Sequence, residues 1–309
     1  MNAPAPKQRK IKSHRIEVAV LDYGNESAPP MVLIHGMRDL AWSLDCVGSH
    51  FRERFRVVAL DLRGHGDSDH VGYYALPHFI VDVRQVVIQL ELERPLLVGH
   101  SFGGELVSQF AGLFPEVPRG LVLLEGLGPP LWEREGSREA GAFWQRLMIE
   151  RLDQVDPNGR RMSDLDEAVT RIRRNHPRLD PERAAFLAEK GTRAHPEGGL
   201  RWKWDPYLMT SWGSFNFQQI EEMWARICCP TLAVNGVESG AFWARDLGPM
   251  RRGGESETYL PPDELQRRLD CFADIEAVDI PGAGHMLHFD EPEALNAALE
   301  DFVDRRELG

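Results

Sequence analysis

Residues 96–106 read LLVGHSFGGEL, a run of leucine and valine that enters Gly99-His100-Ser101-Phe102-Gly103 and leaves it as a helical pattern. A chain that passes from strand to helix within one residue forces strained backbone angles on that residue. Side chains on its second neighbours would collide across so tight a turn, and glycine at 99 and 103 removes the collision. The same geometry lifts the Ser101 hydroxyl above the end of the strand, at the first turn of a helix, as a nucleophile elbow. By itself the Gly-x-Ser-x-Gly spacing arises by chance in about one chain in ten of this length. Its position between a strand and a helix gives it weight.

The rest of the chain has the matching rhythm. MVLIHG from Met31, RVVALDLRG from Arg56, PLLVGHS from Pro95, GLVLLEG from Gly120, PTLAVNG from Pro230 and IEAVDIPGAGH from Ile275 are short, continuous apolar runs. Such runs suit strands buried on both faces. RIEVAVLDYG, from Arg15, alternates apolar and polar residues as an antiparallel strand near an edge does. Between the runs, helical spacing covers 77–93, 102–114 and 291–303. Strand and helix in alternation predict parallel βαβ units: an α/β fold with a mostly parallel twisted sheet and helices on both faces. The first nine or so residues, polar and proline-rich, read as a flexible tail.

One stretch departs from this pattern. From Leu127 to about Phe217 the buried-strand runs give way to charged, aromatic, helix-like sequence, and seven of the eight tryptophans lie in or near it. The expected organisation is a core of residues 10–126 and 218–309 with an inserted helical cap over 127–217. Within the cap, RWKWDP, around Trp202 to Pro206, is the stretch expected to face the site.

A net charge of −12 argues against nucleic acid or an anionic membrane surface as partner, since both select basic patches. No apolar run approaches the roughly 18 residues that span a bilayer. The opening MNAPAPKQRK lacks the apolar segment of a secretory signal. Cys46, Cys228, Cys229 and Cys271 match neither a zinc pattern nor a disulfide framework. They read as reduced core cysteines of a cytoplasmic protein. The oligomeric state is not encoded legibly.

A serine hydroxyl needs a base within hydrogen-bond reach and a third group to orient that base. After the last strand, PGAGHMLHFDEP supplies His285, with Gly282 and Gly284 permitting close approach. His288, three residues on, reads as a supporting residue. Two carboxylates stand at strand ends, where open α/β sheets build their sites: Glu125 in LVLLEG and Glu238 in VNGVESG. Either would fix the imidazole tautomer and stabilise the imidazolium. The oxyanion needs backbone N–H donors, and these are expected from Phe102, next after the serine, and from Met37, in the loop after VLIHG. Arg38, beside that loop, reads as a solvated or ion-paired arginine.

Taken together, HGMRD, DLRGHGDSD, GHSFGG, the cap and PGAGHMLHFDEP resemble the α/β-hydrolase superfamily over nearly the whole chain. The resemblance implies that DLRGHGDSD, with Asp61, Arg63, His65, Asp67 and Asp69, is a structural turn. It also bears on the acid. Most relatives carry it after the strand equivalent to PTLAVNG, the place of Glu238. A subset that includes haloalkane dehalogenases carries a glutamate at the end of the preceding strand, the place of Glu125, and continues with a sequence similar to NGVESGAF. This favours Glu125 and leaves Glu238 as the alternative. Dehalogenase and epoxide-hydrolase relatives need an aspartate nucleophile, and Ser101 stands there instead. The implied chemistry is therefore cofactor-free and metal-free acyl transfer on small to medium hydrophobic esters. Thioesters, lactones and the carbon–carbon bond of diketones are alternatives on the same residues. A ligand receptor on this fold is the alternative from outside enzymology.

Overall fold

The computed structural model describes residues 4–129, 146, 149–208, 217–247 and 260–309. The strands are β1 (Lys7–Ser13), β2 (Ile16–Asp22), β3 (Pro30–Ile34), β4 (Arg56–Leu60), β5 (Leu96–His100), β6 (Gly120–Leu124), β7 (Thr192–Ala194), β8 (Leu200–Trp202), β9 (Thr231–Gly236) and β10 (Ile275–Ile280). The helices used below are α1 (Asp45–Phe51), α2 (Leu76–Gln89), α3 (Phe102–Leu113), α4 (Leu165–Asn175), α5 (Pro181–Gly191), α6 (Phe217–Trp224), α7 (Gly240–Leu247), α8 (Pro262–Leu269), α9 (Leu287–Asp290) and α10 (Pro292–Arg305).

Among the described residues, eight strands form one sheet in the order β1-β2-β4-β3-β5-β6-β9-β10. From β4 to β10 every neighbouring pair is parallel, while β1–β2 and β2–β4 are antiparallel. Alternate residues of a strand point to opposite faces, and the apolar runs divide accordingly. Val32, Ile34, Leu97, Leu121 and Leu123 join α2 and α3 in one core. Met31, Leu33, Leu96, Val98, Val122 and Leu124 join α1 and α10 in the other. This two-sided burial is why these strands carry no polar alternation.

The order of strands sets the site. The chain goes from β3 outward to β4, then crosses to β5 on the other side of β3. Connections therefore diverge at the carboxyl ends of β3 and β5, which opens a crevice there. The loops that carry Met37 and Ser101 leave from those two ends.

Two expectations need correction. The polar N-terminal stretch is not a tail throughout: Lys7–Ser13 pairs along its whole length with β2. The segment between β6 and β9 is not purely helical either. Beside α4 and α5 it contains the β7–β8 hairpin, turned through Gly198 and Gly199 at φ 87° and 77°. Residues after that hairpin fasten the segment to the DLRGHGDSD turn. Asp205 N–H donates to Gly64 O at 2.7 Å, and Lys203 Nζ lies 2.6 Å from Asp67. Trp202 packs with Met162 and Ala188, whereas Trp204 belongs to the apolar cluster that includes Met37, Phe102 and Phe242. All four cysteines are unpaired, but only Cys229 is buried and Cys228 is exposed. Among the described residues no helix is long and apolar enough to cross a membrane.

Candidate active site

Ser101 sits between β5 and α3 at φ 50°, ψ −115°. That conformation costs on the order of 1–3 kcal/mol and persists only where the surroundings impose it. Here the imposition is visible. A Cβ on Gly99 would lie 2.3 Å from Gly103 O, and one on Gly103 would lie 2.3 Å from Ile34 O. The Ser101 N–H donates to Leu124 O at 2.8 Å, and its carbonyl accepts from Glu105 N–H.

The loop after β3 runs against this turn. A Cβ on Gly36 would stand 3.3 Å from Ser101 Cβ. The Met37 and Phe102 N–H groups have no acceptor among the described residues. The turn over residues 61–69 shapes this loop. His65 Nε2 accepts from Arg38 N–H at 2.9 Å, and His35 Nε2 accepts from Leu62 N–H at 3.1 Å. Burial holds both imidazoles below the usual histidine range, the neutral state that such acceptance requires. Asp61 accepts from Ala41 and Asp67 N–H, and Arg63 forms a buried two-pronged pair with Asp82 at 2.6 and 2.7 Å. Every side chain of this turn named here is tied to backbone or to a buried partner. Arg38 is exposed, at φ 61°.

His285 follows β10 in a loop tied to the residue before Ser101. Its carbonyl accepts from His100 Nε2–H at 2.8 Å, so the residue next to Ser101 holds the histidine loop. Gly284 N–H donates to Asp290 Oδ2 at 2.8 Å and fixes the other side. The imidazole is 4% exposed and stacks on Phe242 at 4.0 Å with 16° between planes, with Trp243 edge-on at 5.1 Å. Sequence reading missed this aromatic support. The only signal for it was the Phe-Trp pair after Glu238.

Glu125 lies 3.2 Å, Oε2 to Nδ1, from His285 and is 1% exposed. Its other oxygen accepts from Gly236 N–H at 2.7 Å, and its own N–H donates to Val234 O. Burial pushes the carboxyl up, and the hydrogen bond from Gly236 N–H opposes it by favouring the carboxylate. Glu238 is elsewhere: its half-exposed side chain pairs with Arg178. Ser101, His285, Glu125, Met37 and Phe102 thus share the carboxyl end of the sheet, and Glu238 turns away from the imidazole. His288 is buried, with its ring 4.6 Å from that of His100.

A strained serine at the end of a central parallel strand, with a buried histidine–carboxylate pair beside it, defines a hydrolase of the α/β class. The sequence model of the alpha/beta hydrolase family matches residues 31–298, and the chain belongs to that family. It is 27% identical to human serine hydrolase-like protein 2 over 305 residues, covering 93% of this chain and 90% of that one. The zebrafish (Danio rerio) serine hydrolase-like protein is 25% identical over 289 residues, 91% of this chain and 83% of that one. Among solved structures, a thioesterase domain from the curacin biosynthetic pathway superposes with a TM-score of 0.80 at 26% identity, covering 96% of this chain and 100% of that chain. An esterase of Mycobacterium tuberculosis reaches 0.70 at 18% identity, covering 98% and 93%. That last likeness is one of fold.

Proposed function

We propose that the chain hydrolyses carboxylic esters of small to medium hydrophobic substrates through an acyl-enzyme on Ser101. The observation that carries this reading is the buried 3.2 Å contact between His285 Nδ1 and Glu125 Oε2, next to a serine held at φ 50°. His285 Nε2 takes the Ser101 proton as Oγ bonds to the ester carbonyl carbon. Met37 and Phe102 N–H groups hold the resulting oxyanion. The imidazolium, stabilised by Glu125, gives its proton to the leaving alcohol as the carbon–oxygen bond breaks. Water then repeats the sequence on the acyl-enzyme and frees Ser101. Protein side chains and backbone supply every group in this cycle.

We assign residues 127–217, of which 130–145, 147–148 and 209–216 lie outside the described residues, to a cap, and residues 10–126 and 218–309 to the core. Trp204, packed against the same apolar core as Met37, Phe102 and Phe242, is the residue we assign to an apolar wall suited to acyl or alkyl groups. The unpaired cysteines suit a reducing, cytoplasmic compartment. A thioester is the second reading, favoured by the likeness to the curacin thioesterase domain.

Turnover of p-nitrophenyl acetate through octanoate, and of the matching acyl thioesters, tests the proposal in wild type and Ser101→Ala. The expected result is ester turnover that Ser101→Ala abolishes. Thioester turnover at least tenfold above ester turnover would select the second reading. Ligand binding without turnover of either would contradict both.

A further inference from the structure

Beside the elbow lies a polar cluster that the hydrolytic cycle does not use. Asp39 ends the HGMRD loop, His100 precedes Ser101 and His288 lies in the single turn of α9. One ligand-type atom from each lies within 4.8 Å of the other two. His100 is 1% exposed and His288 3%. His100 Nδ1, both ring nitrogens of His288 and Asp39 Oδ2 are buried without a hydrogen-bond partner. Leaving four such atoms unpaired costs roughly 1–3 kcal/mol each, so their convergence from three separate segments calls for a common partner.

We propose that Asp39, His100 and His288 bind one divalent transition-metal ion of the zinc class. Two imidazole nitrogens and one carboxylate oxygen form a borderline donor set that suits such ions. The tautomer of His100 is set for it. Its Nε2–H is spent on the His285 carbonyl, so the Nδ1 lone pair faces the loop of Gly36, where a Cβ would lie 3.0 Å away. A ligating histidine that donates its other N–H to a backbone carbonyl is the usual outer-sphere arrangement of metal sites. Donor atoms around a tetrahedral ion with bonds near 2.1 Å stand about 3.4 Å apart, so a pair at the 4.8 Å limit closes by about 1.4 Å. Entry is from the loop side, where Arg38 is exposed and Asp39 only half-buried.

Occupancy reaches the hydrolytic site through His100, which holds His285 by its carbonyl. Turnover is therefore expected to fall as the ion binds. That consequence rests on the hydrolase reading, whereas binding itself does not.

The test is titration of the chelator-treated full chain with Co2+ and Zn2+, followed by the visible spectrum of bound Co2+ and by the melting temperature. Wild type is expected to take up one ion with nitrogen–oxygen ligand-field bands and to melt higher when loaded. Asp39→Asn and His288→Gln are each expected to weaken binding at least 100-fold. Asp39→Asn is near-isosteric at a half-buried position and serves alone if His288→Gln does not fold. No uptake by wild type, uptake unchanged in both variants, or a thiolate charge-transfer band marking exposed Cys228 would overturn the proposal. None of these outcomes depends on finding the substrate, so failure of the metal site is separable from failure of the esterase reading.

Discussion

Replacing Glu125 by Gln tests the site through one hydrogen bond. Gly236 N–H, fixed at the end of β9, donates to Glu125 Oε1 at 2.7 Å, and His285 Nδ1 faces Oε2 at 3.2 Å. A glutamine must keep its carbonyl oxygen on the Gly236 donor, which turns its NH2 toward His285. Two donors cannot face each other, so the imidazole moves its proton from Nδ1 to Nε2. Nε2 is then blocked as the acceptor for the Ser101 proton. The variant also loses the charge that stabilises the imidazolium: about 4 kcal/mol for unit charges near 4 Å apart at an effective dielectric of 20. The charge-assisted hydrogen bond adds about 1.5 kcal/mol. The sum of about 5.5 kcal/mol corresponds to a roughly 10⁴-fold loss of kcat. KM should hold, since Glu125 is buried away from substrate. Steady-state kinetics on the best ester, with circular dichroism as a folding control, measures both. Glu238→Gln removes only a half-exposed ion pair with Arg178 and should change kcat less than about threefold. Equal activity of Glu125→Gln and wild type, or a large loss in Glu238→Gln alone, would refute the reasoning.

Three further outcomes follow from the packing and the buried charges. Gly103→Ala puts a methyl 2.3 Å from Ile34 O in the backbone of β3, and should destabilise by about 3 kcal/mol or more, read as lost soluble yield or a denaturant midpoint shift. Phe242→Ala removes the ring stacked 4.0 Å from His285, and at about 1 kcal/mol should lower kcat several-fold with little effect on global stability. Glu105 is buried on α3, with its carboxyl pushed from 4.5 up to about 8 by burial and drawn back only by Arg268. The folded state therefore holds this proton more tightly than the unfolded state, and stability falls as pH rises from about 4.5 to 8. Glu105→Gln should raise the melting temperature by about 5 °C at pH 9 and hardly at all at pH 4; an equal shift at both would contradict the assignment.

The parallel core was legible because a strand buried on both faces carries mostly Leu, Val and Ile, as in β3, β5 and β6. β1 was not, for the opposite reason. In KQRKIKS only Ile11 and Ser13 are buried, and an edge strand that displays lysine and arginine resists pairing with other chains at the cost of any apolar signal. The β7–β8 hairpin did announce its turn, in Gly198-Gly199, but its strands of three residues are too short for a period to register. In the site, Ser101 and His285 stand out because local backbone geometry demands glycines around them. The choice between Glu125 and Glu238 does not, since both end strands in apolar company. The family resemblance favours Glu125, and the register of β6 against β9, which puts Glu125 beside Gly236, pairs it with His285. Likewise the convergence of Asp39, His100 and His288 joins residues 249 positions apart at its extremes and leaves no trace in local sequence.

The central claim, that Ser101 is an activated nucleophile, is tested most directly by labelling with a fluorophosphonate and locating the adduct by intact mass and peptide mapping. One adduct on wild type, carried by Ser101 and absent from a folded Ser101→Ala, is the predicted result. Wild type that does not label, or Ser101→Ala that labels as wild type does, would contradict it.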